Sequence, residues 1–350
     1  MVDIAIVSFA QCPSVRMAEK PEVQLIVPVV AEAVARSGIP RSEIGFTCSG
    51  SADYLSGAPF AFVGNLEATG AWPPIRESHV EMDGAWALYE AWVRLQHGDI
   101  DSALVFASGK SSPAVLPEVL ALQLDPYYLM PLWVDSISMA ALQAAALLQA
   151  GDHTEADMAD VVARSRKAAL DNPNAQLAGD LDPEKLLTEP YLVAPLRKHD
   201  CPPISDGAAA IVLVAGDRAK DVCEHPAWIR GIDHRIEAHY PGLRDLTESP
   251  STALAAKNAG LRDGDVEVAE IWASFSHQEL ILREALGLGD GVDVNPSGGA
   301  LAANPLMATG LIRIGEAARA ISDGGRHRTL AHATSGPCLQ QNLVCVLEGS

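Results

Sequence analysis

Hydrophobic and polar positions change their period several times along this chain, and the changes divide it into elements. Residues 2–9 alternate and carry β-branched side chains, which predicts a strand. Residues 23–36 keep a helical period, and Gly38 and Pro40 end it. Residues 42–49 form a second strand, and 79–82 read as short and extended. Residues 83–97 are a strong helix, with Asp83 near its N-terminus and Gly98 closing it. Residues 102–107 are a further buried strand. Residues 108–206 break this rhythm: two helical patterns, near 136–150 and 154–170, are joined by Pro- and Asp-rich loops, as in an inserted cap. Residues 208–214 return to an apolar strand. The plan then repeats, with strands at 227–238 and 266–275, helices at 251–259, 278–286 and 305–321, and strands at 328–333 and 343–347. Two β-α-β-α-β halves in tandem predict an α/β fold with internal duplication and layered sheets and helices. The expected division is 1–220, including an insertion at about 109–206, and 221–350.

The chain has 350 residues, of which 48% are hydrophobic, so a large core is expected and disorder is not. Its formal net charge of -20 argues against a nucleic-acid backbone or an anionic membrane surface as partner. A local basic site can still bind a phosphate. The six cysteines are scattered and form no CxxC pair, so no metal site is expected. No apolar run reaches the roughly 18 residues of a membrane span, and the N-terminal residues lack a basic leader, which predicts a cytoplasmic protein.

The chemistry is concentrated late in the chain. Asn295-Pro296-Ser297-Gly298-Gly299 is a glycine turn, followed by Asn304-Pro305-Leu306-Met307-Ala308-Thr309-Gly310. Other segments stand in order with it: Leu170-Asp171-Asn172-Pro173, Pro195-Leu196-Arg197, Asp200 through Ala210, Glu270 through Leu288, and His332 through Asn342. Together they resemble the thiolase superfamily, in the branch of sterol-carrier-protein-x thiolases and actinobacterial lipid-transfer proteins. The resemblance covers essentially the whole chain. It implies a duplicated, five-layered α-β-α-β-α fold with an inserted helical loop region.

It also implies altered chemistry. Thiolases acylate a cysteine at the start of a buried helix, which here falls on Glu81, followed by Met82, Asp83 and Gly84. A carboxylate cannot replace the soft, easily expelled thiolate. Glu81 is therefore either a general base or an anion beside a helix N-terminus. The oxyanion motif falls on Trp272, whose indole donates one hydrogen bond or fills the vacated pocket. His277, five residues on, reads as a capping or surface histidine near the substrate. The activating histidine of the Gly-His-Pro signature is replaced by Asn304, which can donate to a thioester carbonyl but cannot take a proton. The last catalytic position falls on His332, which can shuttle a proton near neutral pH. Cys338, on the same glycine-rich loop, reads as a buried thiol lining the substrate site.

Three functions follow as expectations. The first is aldolase-type carbon–carbon cleavage of a CoA thioester, such as a steroid or lipid side chain. Its catalytic residues would be His332, Glu81 and Asn304, contacting substrate with Trp272, His277 and Cys338. Coenzyme A would be part of the substrate, with no covalently bound cofactor and no acyl-enzyme. The second is a non-catalytic, thiolase-like scaffold subunit. The third is an acyltransferase using another cysteine. The expected partners are a second copy or a sister thiolase-like chain, docked along an edge strand near 104–107, and an OB-fold, zinc-ribbon protein.

Overall fold

The computed structural model describes residues 2–262, 265–323 and 325–350. Twelve strands form along the chain: β1 Ile4–Gln11, β2 Phe46–Gly50, β3 Glu77–Val80, β4 Ser102–Lys110, β5 Tyr191–Val193, β6 Leu196–Arg197, β7 Asp206–Ala215, β8 Ala227–Ile236, β9 Val268–Ile271, β10 Asp293–Val294, β11 Arg328–Ser335 and β12 Gln341–Glu348. Ten of them make one sheet in the order β10-β9-β11-β12-β8-β1-β7-β4-β2-β3. The order hides a repeat. Numbered within each half, both halves read 3-2-4-5-1, and in both the fifth strand runs antiparallel to its neighbours. The halves meet where β1 pairs with β8 over Ala5–Trp228 and Ile6–Ala227.

Helices complete five layers. Glu22–Ser37 packs on β1, β4 and β7 on one outside. Two helices, Gly84–Gln96 and Thr309–Ser322, touch each other and lie between the two half-sheets. Pro250–Asn258 covers β8 and β12 on the other outside, with Ser276–Ala285 beside it. The strand alternation is the cause of this layering. On β11, Ala331 and Ala333 join the central core with Ala85, Leu311 and Ile314, whereas Leu330 joins the outer core with Ala255 and Ile281. Residues between β4 and β7 supply the Ser136–Ala150 and Glu155–Ala168 helices and the β5–β6 hairpin.

Several expectations need correction. The helix expected at 305–321 begins only at Thr309 and runs to Ser322, because Met307 takes φ 75°, outside the helical region. The strand expected at 266–275 stops at Ile271. Leu104–Ala107 is not a sheet edge: β4 is paired on both sides, with β2 and β7, and the first half ends on β3. Its near-continuous apolar run is that of a strand buried on both faces. Glu81 does not lie at the start of a buried helix. It is exposed, just past β3, and the helix begins at Gly84 with Asp83 as its N-cap.

Candidate functional site

Asp83 is where the two halves meet chemically. Its carboxylate accepts from Ala85 N at 2.8 Å, which caps its own helix. It also accepts from Gly310 N and Leu311 N, both at 3.1 Å, at the start of the other central helix. Gly84 N donates in turn to Met307 O at 2.8 Å. Complete burial pushes the Asp83 carboxyl up to about 6, against the three amide bonds that hold it down. Gly310 has to be glycine, since a Cβ there would stand 2.5 Å from Asp83 Oδ1 and 2.7 Å from the Ala333 Cβ.

Beside this junction, at the carboxyl ends of β2, β9 and β11, lies a chamber of about 130 Å³. That end of a parallel sheet is where open α/β folds bind ligands. Its walls include Tyr54, Trp272, Ser274, Gln278, Met307 and Cys338. Trp272 Nε1 donates to Ser274 Oγ at 2.9 Å, so the indole fills the wall with its polar edge satisfied. The loop carrying Cys338 is strained, because Cys338 and Leu339 both hold positive φ, 54° and 56°. Arg244 ties it down by donating to Pro337 O and Cys338 O, both at 2.9 Å. Burial raises the Cys338 thiol to about 11, so it is protonated at neutral pH and a weak nucleophile.

Tyr54 was not singled out by the sequence. Tyr54 lines the chamber, and its hydroxyl is buried without a hydrogen-bond partner. Burial, and then the charge of Glu81, push the phenol well above its usual range. A phenol in that state is a donor, not a base. No motif announces it. The residue lies in a short helix, Asp53–Ser56, and only the fold brings it to the end of β9.

The chamber adjoins a larger cavity of about 780 Å³ between the inserted helices and the core, and Ser274, Phe275 and Leu306 line both. Asn304 lines the larger one. Its Oδ1 accepts from Thr309 Oγ1 at 3.0 Å and its N–H donates to Ser205 Oγ at 3.0 Å. Its side-chain NH₂ is left to donate elsewhere.

The structure thus separates the six residues that the sequence grouped. Trp272 and Cys338 line the chamber, Asn304 lines the cavity, and Glu81 lines neither, its carboxylate accepting from Asp53 N. The two histidines lie outside both. His332 shares the outward face of β11 with Leu330, away from Asp83, and bonds Asn342 Oδ1 at 3.0 Å. Asn342 leads on to Ser251 Oγ at 2.7 Å, on the outer helix. Burial lowers His332 to about 4. His277 is neither a cap nor a surface residue. It is fully buried, its Nε2 stands 3.3 Å from Gln143 Oε1, and burial lowers it to about 3. Both rings are neutral at pH 7.

No family model matches the chain. Individual proteins do. An acetyl-CoA acetyltransferase of Methanothermobacter thermautotrophicus is 29% identical over 272 residues, which is 69% of this chain and 70% of that protein. Sterol carrier protein 2 of Gallus gallus is 26% identical across 95% of this chain and 68% of its own length. The solved structure of an Ltp2-ChsH2(DUF35) aldolase superposes with a TM-score of 0.82 at 21% identity, covering 99% of this chain and 97% of that one. The chain is similar to proteins of the thiolase superfamily in sequence and shares their fold. Between Cys48 and Cys201 the chain contains no cysteine, so none stands at the start of the Gly84–Gln96 helix. Among the described residues, no helix is long and apolar enough to cross a membrane.

Proposed function

We propose that this thiolase homologue cleaves a carbon–carbon bond in a β-hydroxyacyl-CoA by retro-aldol chemistry, within a heteromeric complex. The observation that carries the reading is Tyr54, which lines a chamber with no cysteine at the helix start and whose buried hydroxyl has no hydrogen-bond partner. In the reaction the β-hydroxyl loses its proton to a base. The electron pair of the Cα–Cβ bond moves to the thioester as an enolate, a ketone or aldehyde leaves, and Cα is reprotonated. No covalent enzyme intermediate is needed. Tyr54 donates to the enolate oxygen, where a preorganised donor acts most strongly. Asn304 supports the thioester from the adjoining cavity. Glu81, the carboxylate whose charge reaches Tyr54, takes the β-hydroxyl proton and returns it through solvent.

The partners belong to the same reading. The outer edge of β3 ends the sheet, and Phe60, Val63 and Trp72, from the segment joining β2 to β3, are exposed. A second thiolase-like chain pairs there, since an open edge strand invites strand addition. The aldolase neighbour carries a DUF35 component in its name. We extend that to a DUF35-type OB-fold, zinc-ribbon partner here.

The test is Tyr54→Phe, assayed with a β-hydroxyacyl-CoA in the presence of the partner. Loss of one such donor lowers turnover about 10²–10³-fold. Intact-mass spectrometry after incubation with acyl-CoA shows no adduct. Wild-type turnover in Tyr54→Phe removes the tyrosine from the mechanism, and a stoichiometric acyl adduct replaces this reading with the acyltransferase one. A scaffold reading has its own support, since both histidines face away from the chamber. It gains if the chain is inactive with every partner yet required for a sister chain's activity.

A further inference from the structure

Three arginines are buried among the described residues: Arg166, Arg197 and Arg313. Two are paired with a carboxylate. Arg313 pairs with Glu270 Oε2 at 2.5 Å and donates to Ser297 Oγ. Arg197 pairs with Glu155 Oε2 at 2.6 Å, donates to the carbonyls of Glu189 and Leu187, and lies over the Tyr191 ring. Arg166, on the Glu155–Ala168 helix, is 8% exposed and differs from both. Its Nε is buried without a partner, as is that of Arg313, but among the described residues no carboxylate pairs with its guanidinium. Burial alone lowers its guanidinium to about 10, with no carboxylate near enough to offset the cost. A buried, uncompensated charge is expensive. With 45 acidic residues in the chain, a carboxylate at this place was within the reach of the sequence.

Arg166 lines the cavity of about 780 Å³, a volume in the range of small-molecule sites, roughly 300–1,000 Å³. The rest of the wall is largely apolar, with Leu116, Ile137, Leu177, Leu181, Leu186 and Leu192. A second residue with an orphan atom lines the same cavity: Gln176, whose Oε1 is buried and accepts no hydrogen bond. One cavity therefore offers an apolar lining, an unpaired cation and an unpaired acceptor.

We propose that Arg166 is the counter-charge for an anionic group on an amphipathic ligand that fills this cavity, with Gln176 accepting from a donor on the same molecule. The anion is a carboxylate on the apolar body or a phosphate of a coenzyme A moiety. Both satisfy a guanidinium by charge-assisted hydrogen bonds. The inference rests on the cavity and not on the carbon–carbon chemistry, and its test reads binding, so the two can fail separately.

The test is calorimetric titration of the full chain with decanoate, decanamide and coenzyme A, for wild type and Arg166→Met. Wild type is expected to bind decanoate or coenzyme A, with decanoate about 10- to 100-fold tighter than decanamide if the carboxylate is the anion. Arg166→Met abolishes that preference. If instead coenzyme A alone loses affinity in the variant, the anion is a phosphate. The ligand-free variant should melt no lower than wild type, since it removes a charge that nothing compensates. Arg166→Gln serves where the Met variant does not fold. Either of two results overturns the proposal. One is equal affinity of wild type and variant for both anions. The other is no binding of any anion by wild type. A lower melting temperature with unchanged binding makes Arg166 a structural residue and overturns it as well.

Discussion

The two halves share a strand order but begin their central helices differently. Gly84 and Gly310 stand at equivalent places, each against an alanine of the fourth strand of its own half. A Cβ on Gly84 would lie 2.7 Å from Ala107, and one on Gly310 would lie 2.7 Å from Ala333. The helix at Gly84 has its own side-chain cap, Asp83, whereas the helix at Thr309 has none. One carboxylate serves both, so the second half takes its capping group from the first. The free edges differ in the same sense. The last strand of the second half, β10, is held by Arg164, which donates to Val294 O at 2.6 Å. The last strand of the first half, β3, has no such cover among the described residues. A duplicated fold thus keeps its layers while dividing tasks: the first half holds the junction and the open edge, and the second holds most of the chamber wall.

The largest effect should come from breaking the shared cap. Asp83→Ala strands three buried N–H groups at about 1–3 kcal/mol each, so we expect a failure to fold or a drop of many degrees in a thermal melt. A nearly unchanged melt would show that the two helix starts do not depend on it. Asp83→Asn isolates the charge. The folded pKa is raised, from 3.8 to about 6. Asp83 therefore favours the fold below pH 4, and that contribution is lost as pH rises through 6. The shift of about two units corresponds to roughly 3 kcal/mol. Urea midpoints of wild type minus Asp83→Asn, taken from pH 4 to 7, should carry that slope.

Next in size is Gly310→Ala, which drives a methyl into Asp83 and Ala333. Overpacking of this kind costs about 1–3 kcal/mol. Gly84→Ala should cost a comparable amount if the two places are equivalent, and a large inequality in their melts would break the comparison. For the edges, the protein should sediment as a dimer at micromolar concentration, with Trp72→Glu shifting it toward monomer. An unaffected dimer would move the interface away from β3. The smallest effect expected on turnover is that of His332→Ala, which removes a neutral ring on the outward face. Its folded pKa is depressed to about 4. Its contribution is present above pH 6.5 and is lost as pH falls toward 4, opposite in sign to Asp83. A large loss of turnover would return His332 to the mechanism.

Much of the layering was legible because it rests on local rules. Alternation fixed β1, β7 and β12 to within a few residues, and the helix over 83–97 carried its cap and closing glycine in sequence. The motifs from Asn295 to Gly310 pointed to the family for a local reason too: Asn295 holds φ 53° and Gly298 holds φ 97°, which few residues tolerate. What failed was the grouping of side chains. Glu81, His332 and Asn304 were placed together by alignment to a pattern, but a strand sends adjacent residues to opposite faces. His332 went outward with Leu330, although its neighbours Ala331 and Ala333 face the centre.

The sequence by itself therefore determined the elements, their repeat and the kind of fold, since periodicity, glycine placement and proline placement act within a few residues of chain. Only the tertiary structure decided which groups share a site. Tyr54 meets Trp272 and Cys338 across more than two hundred residues, Asp83 crosses to Gly310, and Arg166 is left in a cavity without a counter-charge. Such relations depend on which face is buried against what, and burial sets whether a phenol, a carboxyl or a guanidinium is satisfied or left waiting for a ligand.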